Sequence, residues 1–325
     1  MRDVLGRLGA FAGALLVVAG VIGVASFVIG LLSGRVSFGG LLVAVVGAAL
    51  IAAVARLGKG PSLLGGYSAL VYVGLFLPIV IVVIYAFNSG RYVTVWGGFS
   101  TASFSRALHD DAITSSILRS FRIGLTTSLV STLLGTAAAL ALARARAGVR
   151  TPVEVVILLT VVVPEVVIAI ATLVFFVNVG FELGTTTMFL GHCVFNMSLV
   201  TLIVRARFLS MGDSLEEASR DLGAGPISTF RQVTLPRLAP AILAGGLLAF
   251  TFSFDDVVIS NFTSGAGHET WPLHILSALR FGLTPTLNAA ATLMIGVTLV
   301  GLALAALALR IGSRQGAADL STSTT

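Results

Sequence analysis

The stretch LLGGYSALVYVGLFLPIVIVVIYAF, at residues 63–87, runs without a single charged side chain. A helix of about 20 residues crosses the hydrocarbon core of a bilayer, which is about 30 Å thick. Because no water satisfies the backbone inside lipid, a run of this length must make its own hydrogen bonds and is predicted to be helical. The stretch therefore predicts one membrane-spanning helix.

Seven other stretches have the same character. Five carry no charge: residues 8–32, 36–55, 123–143, 185–204 and 287–309. Two more contain only isolated acids: residues 152–180, with Glu154 and Glu165, and residues 238–260, with Asp255 and Asp256. The first run is longer than a signal peptide and a second follows at once, so we expect it to be a span. The sequence predicts an all-α membrane protein of about eight spans. A soluble domain is excluded by a composition that is 56% hydrophobic and 10% charged.

Lysine and arginine are distributed unevenly between the two sides of these predicted spans. Fourteen lie on the side of both termini and six on the other. The positive-inside rule therefore predicts a multi-pass protein of the plasma (inner) membrane with cytoplasmic N- and C-termini. The basic residues are scattered over loops and form no stripe, so the net charge of +6 predicts a membrane orientation and no nucleic-acid partner.

The longest cytoplasmic segment is predicted to form a helical hairpin, defined here as residues 209–237. Ser214 and Glu217 have the spacing of a capping box, which predicts a helix that begins at Leu215. Gly223 stands where a left-handed residue ends such a helix. The hairpin is therefore expected to consist of two helices joined by a glycine turn.

The second hairpin helix is expected to begin at Pro226, and Pro236 and Pro240 mark the entry to the next span. On the first helix, the small apolar face comprises Leu215, Ala218, Ser219 and Leu222, and the remaining, solvated face comprises Glu216, Glu217, Arg220 and Asp221. A helix of two to three turns is not stable alone, so it must dock. Two interpretations are open: it packs on its own bundle, or it contacts a separate cytoplasmic subunit.

The hairpin resembles the EAA motif of ABC importer permeases. That motif reads E-A-A, three residues, G, nine residues, I-x-L-P, and it is matched in spacing by Glu217-Ala218-Ser219, Gly223 and Val233-Thr234-Leu235-Pro236. The resemblance implies that the hairpin is a coupling helix that fits a groove of an ATP-binding subunit. The residues that it assigns to this contact are Leu215, Glu216, Glu217, Ala218, Ser219, Gly223, Val233, Leu235 and Pro236.

Three more stretches are similar to the polyamine branch of this family, and to the second of its two permease subunits. They are FNSGRYVTVWGGFS at residues 87–100, FSFDDVVISNFTSG at 252–265 and WPLHILSALRFGLTPTLNAAAT at 271–292. The resemblance implies a six-helix type I importer core at residues 61–312, forming half of a pathway for spermidine or putrescine. A two-helix hairpin at residues 1–60 precedes this core, and a disordered cytoplasmic tail at residues 313–325 follows it.

The resemblance also implies partners. These are a dimer of ABC ATPase subunits, a second homologous permease and an extracytoplasmic substrate-binding protein, all assembled in membrane lipid. ATP is then bound by the ATPase, and this chain is expected to hold no cofactor and no metal and to have no catalytic residue. The one candidate phosphate loop, RLGKGPS at residues 56–62, fails because Ala53 and Gly60 stand where a P-loop needs Gly and Ser or Thr.

Acids at membrane depth are costly and usually face a cavity or a partner. Asp255 and Asp256 are adjacent, so at most one of them can point squarely into a pathway from a helix. If the helix continues, Phe252, Asp256 and Ser260 share a face, and that face suits an organic cation through charge and cation–π attraction. The alternative is that one aspartate caps a helix or pairs locally.

Glu165 follows Pro164 in the middle of a predicted span, where proline frees a carbonyl and kinks a helix. Two interpretations are open: Glu165 lines the pathway, or it is a paired acid at a structural kink. Glu154 is expected to cap its helix, and His192 to be a hydrogen-bonded packing residue.

Two other functions fit parts of the sequence. One is a secondary transporter of an organic cation that an ion gradient drives through the intramembrane acids. The other is an ABC permease for a different substrate, such as iron or an opine. A secondary transporter has no need of a helix–glycine–helix hairpin on its cytoplasmic face, so the hairpin favours the ATPase-driven permease.

Overall fold

The computed structural model describes residues 63–300, apart from Tyr92, Thr94 and Asp213. The predicted spans at residues 8–32 and 36–55, and with them the N-terminal hairpin at 1–60, lie outside the described residues. So do the RLGKGPS stretch up to Ser62 and the tail at 313–325. The described residues are mostly helical and contain no strand beyond an isolated bridge between Asn88 and Phe99. The all-α prediction is therefore confirmed for this part of the chain.

The helices of the described region are labelled in chain order. They are α1 (Leu63–Ala86), α2 (Ala102–His109), α3 (Asp111–Arg144), α4 (Ala147–Val162), α5 (Glu165–Asn178), α6 (Thr185–Ser210), α7 (Ser214–Asp221), α8 (Pro226–Phe254), α9 (Val258–Thr263), α10 (Trp271–Phe281) and α11 (Pro285–Val300). Their contacts form two compact units, which are described separately: Asp111–Arg280, and the residues on either side of it.

Among the described residues, α3, α6 and α8 are long and apolar enough to cross a membrane, and α4 with α5 adds a further span if the two are counted together. The predicted span at 152–180 is divided between α4 and α5, which meet at a bend of 109° where Pro164 predicted a kink. Pro164 explains the break: its ring fixes its own backbone and forces Val163 into an extended conformation, with ψ of 135°. The predicted span at 287–309 is described only as far as Val300.

The predicted span at 238–260 is wrong at both ends. It begins earlier, because the second hairpin helix runs without interruption into the span and the two form α8. A π-helical turn at Phe230–Thr234, with a bond from the Leu235 N–H to the Phe230 carbonyl, precedes Pro236 and widens the helix where proline lacks an N–H. At the other end the helix stops at Phe254, and α9 starts only at Val258.

The core of the larger unit lies where α3, α6 and α8 pack against one another. Its fully buried side chains are Ala139, Val200, Val204, Leu238 and Ala249. Gly135 permits this packing, since a Cβ at that position would lie 2.9 Å from the Met197 carbonyl oxygen. The shorter α9 packs against α5 and α6, and this contact places the two helix breaks in one neighbourhood.

In the smaller unit, a loop between α1 and α2 is organised by the buried side chain of Asn88. Its Oδ1 accepts hydrogen bonds from the N–H groups of Gly90 and Gly97, at 3.1 and 2.8 Å, and its Nδ2 donates to the Val95 carbonyl. The FNSGRYVTVWGGFS stretch therefore folds around its own asparagine.

Candidate functional site

The hairpin has the local structure that its glycine and proline positions predict. Helix α7 begins at Ser214, one residue before the predicted start. Gly223 has a left-handed φ of +84°, and the bonds that close the turn run from the Gly223 N–H to the Arg220 carbonyl and from the Ala224 N–H to the Ser219 carbonyl. This is a Schellman motif. Pro226 stands at the first position of the next helix, as predicted.

Three large apolar side chains around the glycine turn of the hairpin are exposed. Leu222 is 89% exposed, Ile227 is 83% exposed and Leu215 is 46% exposed. Ala218, between Leu215 and Leu222, is exposed as well. Accessible apolar side chains on a charged and polar segment are typical of an interaction surface.

Glu216, one of the charged residues of α7 that the resemblance assigns to the ATPase contact, is buried. Its side chain is only 12% exposed, and its Oε1 accepts a 2.6 Å hydrogen bond from the hydroxyl of Thr234. Its Oε2 lies 3.6 Å from Nη2 of Arg144 and 3.4 Å from Nη2 of Arg220. The carboxylate is buried because side chains from α3, α7 and α8 satisfy it. Its neighbour Glu217 is exposed.

The second candidate region is the neighbourhood of the two helix breaks. Asp256 caps the first turn of α9: its Oδ1 accepts a bond from the Ile259 N–H at 3.2 Å, and its Oδ2 from the Ser260 N–H at 2.7 Å. Its side chain is 5% exposed. The aspartate therefore stabilises the start of a short helix that has few hydrogen bonds of its own.

His192 of α6 completes this cluster. Its Nε2 lies 3.1 Å from Oδ2 of Asp256 and 3.1 Å from the Ser260 hydroxyl, and its Nδ1 lies 2.7 Å from the Ser253 hydroxyl. The ring is 1% exposed. His192 is thus the hydrogen-bonded packing residue that the sequence predicts, and it ties α6 to both sides of the break after α8.

The remaining pathway candidates are accessible. Glu165, the first residue of α5, is partly exposed and lies beside Asp256 and His192. Asp255 is exposed at the end of α8, and Phe252 is 49% exposed. The predicted common face of Phe252, Asp256 and Ser260 does not exist, because α8 ends between the first and the second of them. Asp256 and Ser260 are buried in the cluster.

Three contacts could not be read from the sequence. Arg144 and Thr234 bind Glu216 from distant parts of the chain, and Ser253 binds His192. Thr234 lies at the x of the I-x-L-P element, a position that the motif leaves variable. The motif therefore gave no reason to assign a function to Thr234. Glu154 was expected to cap its helix, and this prediction is wrong: α4 begins at Ala147, so Glu154 lies in the interior of the helix. There it pairs with Arg205 at 2.5 Å and with Arg150 at 3.4 Å.

The chain matches the family model described as "Binding-protein-dependent transport system inner membrane component" over residues 131–313, more than half of its length. The chain belongs to this family. The predicted membership is confirmed, and so is the prediction that the chain is an ABC importer permease. The family consists of transport components rather than enzymes. It implies a multi-pass protein of the inner membrane that works with an ATPase and a binding protein.

Two relatives of this permease carry substrate names. The putrescine transport system permease protein PotI of Escherichia coli (strain K12) is 38% identical over 235 residues, which cover 70% of this chain and 84% of PotI. The spermidine/putrescine transport system permease protein PotC of the same strain is 32% identical over 241 residues, covering 74% of this chain and 91% of PotC.

A solved structure shares the fold of this permease. It is the crystal structure of a bacterial ABC transporter involved in the import of the acidic polysaccharide alginate, with a TM-score of 0.52 and 21% sequence identity. The match covers 74% of this chain and 94% of that chain. The likeness supports the type I importer architecture.

Proposed function

We propose that this permease imports polyamines and that a separate ABC ATPase drives it through the hairpin at residues 209–237. The observation that carries the proposal is the exposed apolar face of the hairpin, with Leu222 89% exposed and Ile227 83% exposed. A short helix with such a face needs a partner. The resemblance to the EAA motif names that partner as an ATPase.

The distribution of basic residues supports the placement of the hairpin and both termini in the cytoplasm. A dimer of ATPase subunits then binds there, and ATP is held by the ATPase rather than by this chain. A second, homologous permease forms the other half of the pathway. An extracytoplasmic binding protein delivers substrate to the segments at residues 88–122 and 261–286.

Polyamines are the proposed substrates for two reasons. Relatives that cover most of this chain are named for putrescine and spermidine. In addition, the accessible pathway candidates combine two carboxyl groups, Glu165 and Asp255, with the aromatic ring of Phe252. Carboxylates compensate the charge of an ammonium group, and an aromatic ring attracts it through its π-system.

The proposed mechanism assigns the hairpin one physical task. ATP binding closes the ATPase dimer, and the hairpin moves with it. For this movement to shift the spans between inward-open and outward-open states, the hairpin must bind the two ATPase states with different affinity. Substrate then passes the accessible acids in the state that exposes them.

The test of this function is purification in mild detergent with identification of the co-purifying chains, together with uptake of labelled putrescine and spermidine. Uptake is measured in cells whose only polyamine importer contains this chain. We expect an ABC ATPase and a second permease to co-purify and both amines to enter. If the ATPase binds but neither amine enters, the substrate is wrong and the importer stands. If no ATPase binds and uptake follows an ion gradient, the chain is a secondary transporter.

Coupling is tested separately by Gly223→Asp. The left-handed backbone of Gly223 disfavours any residue with a Cβ by about 1 kcal/mol or more, while the space around it is open. We expect the variant to remain in the membrane and to lose substrate-stimulated ATPase activity. Gly148→Asp is the matched control, since Gly148 is exposed and helical and a Cβ there meets nothing. Unchanged stimulation in Gly223→Asp would contradict the coupling role.

A further inference from the structure

Glu216 connects the hairpin to the ends of the long helices. Its Oε1 accepts the 2.6 Å bond from Thr234 in α8, and its Oε2 pairs with Arg144, the last residue of α3. Arg144 in turn lies 6.0 Å from the ring centre of Phe208 in α6. One carboxylate therefore links α7 directly to α8, and through Arg144 to the helices that form the core of the unit.

The bond to Thr234 is the strong part of this link. It is short, it involves an ionised acceptor, and both side chains are buried, with Thr234 fully so. The pair with Arg144 is weaker, because that arginine is 57% exposed and water screens the interaction. Thr234 also ends the π-helical turn of α8, and such turns occur often at functional sites.

Helix α7 depends on this link for its position. It has eight residues, and its apolar face is exposed rather than packed on the unit. The hydroxyls of Ser219 and Thr229 also form a hydrogen bond between α7 and α8, at 3.0 Å. Without Glu216, α7 would keep this bond but lose the links to Thr234 and Arg144.

We propose that Glu216 is a positioning residue that makes α7 move as one body with the ends of α3 and α8. The inference rests on the proposed function, because the force on α7 comes from the ATPase. It gives the adjacent acids different tasks. Glu217 is exposed and available to a partner, whereas Glu216 faces inward and passes the movement to the spans.

Hydrogen exchange of the purified permease tests the link without any partner. Glu216→Gln keeps the shape of the side chain but removes its charge, and Thr234→Val removes the hydroxyl that donates to it. We expect the amides of α7 to exchange about tenfold faster in both variants, with α3 and α6 unchanged. Asp221→Asn, an exposed acid of the same helix, is the matched control. Exchange in α7 at the unmutated rate would overturn the proposal.

The assembled complex tests the transmission. In liposomes, we expect Glu216→Gln to retain its ATPase and to move about tenfold less labelled putrescine per ATP hydrolysed. Asp221→Asn should keep the unmutated ratio. If ATP hydrolysis and putrescine uptake fell by the same fraction, the ratio of uptake to hydrolysis would be unchanged. That result would show that Glu216 has only a structural role and would overturn the proposal. If the unmutated permease binds no ATPase, the proposed function is contradicted. The hydrogen-exchange experiment still decides whether Glu216 holds α7 in place.

Discussion

In the part of the permease that the structure describes, two helix breaks each carry an acid. Glu165 opens α5 after the break at Val163 and Pro164, and Asp256 precedes α9 after α8 ends. The two carboxyl groups lie beside each other. Glu165 is partly exposed, whereas the side chain of Asp256 is 5% exposed and bonded on both oxygens.

The difference follows from how each break is made. At the first break, Pro164 imposes its own φ and holds the preceding residue extended, so no side chain is required to maintain the bend. The second break contains no proline. There Asp256 supplies the acceptor for two backbone N–H groups, and His192 holds the aspartate in place. The acid after the proline break is partly exposed, and our proposal assigns it to the substrate pathway. The acid in the break without proline is used in maintaining that break.

The largest expected effect comes from removing the partner of Asp256. His192→Leu removes one polar partner of the buried Asp256 carboxylate, which keeps its two backbone donors, and it also removes the partner of the Ser253 hydroxyl. Leaving a buried polar group without a partner costs about 1–3 kcal/mol. We expect less protein in the membrane and a lower midpoint of thermal unfolding in detergent. His268→Leu, a histidine on an exposed loop, is the control. A variant as stable as the unmutated permease would show that Asp256 is not maintaining the break.

The opposite result is expected at the first break. Glu165→Gln should leave the amount of permease and its unfolding midpoint unchanged but lower polyamine uptake about tenfold, which corresponds to about 1.4 kcal/mol of lost charge compensation. Glu182→Gln, an exposed acid between α5 and α6, is the control. If Glu165→Gln lost stability and kept its uptake per molecule, the comparison between the two breaks would be reversed.

The sequence predicted local structure correctly where that structure depends on residues within one turn, and it failed where side chains from distant helices decide. Gly223 and Pro226 were placed correctly, because the backbone needs of glycine and proline act within one turn. Pro164 predicted a kink for the same reason, although its neighbours gave no measure of a 109° bend. The burial of Glu216 was missed, since Arg144 and Thr234 reach it from other helices and its position in the 3.6-residue pattern indicated solvent.

Asp256 shows a different limit. Local capping was one of two open interpretations, and the structure provides its cap contacts. Choosing between them required knowing that α8 ends at Phe254, and no proline or glycine near Phe254 marks that end. Asp255 and Asp256 themselves were the signal, because aspartate favours helix caps over helix interiors. Because both residues were predicted to lie within the membrane, a pathway role fitted them as well as a capping role did.

The smallest effect is expected for Asp255→Asn. This variant tests whether Glu165 or Asp255 compensates the charge of the substrate. Asp255 is exposed at the end of α8. If the proposed pathway is filled with water there, salt screens its charge. Exposed charge pairs contribute little, so Asp255→Asn should lower polyamine uptake by only about twofold at low ionic strength. The loss should vanish at high salt, whereas the loss in Glu165→Gln should persist because that site is less accessible. Uptake of labelled putrescine at two salt concentrations measures both. A large, salt-independent loss in Asp255→Asn would move the cation site from the proline break to the end of α8.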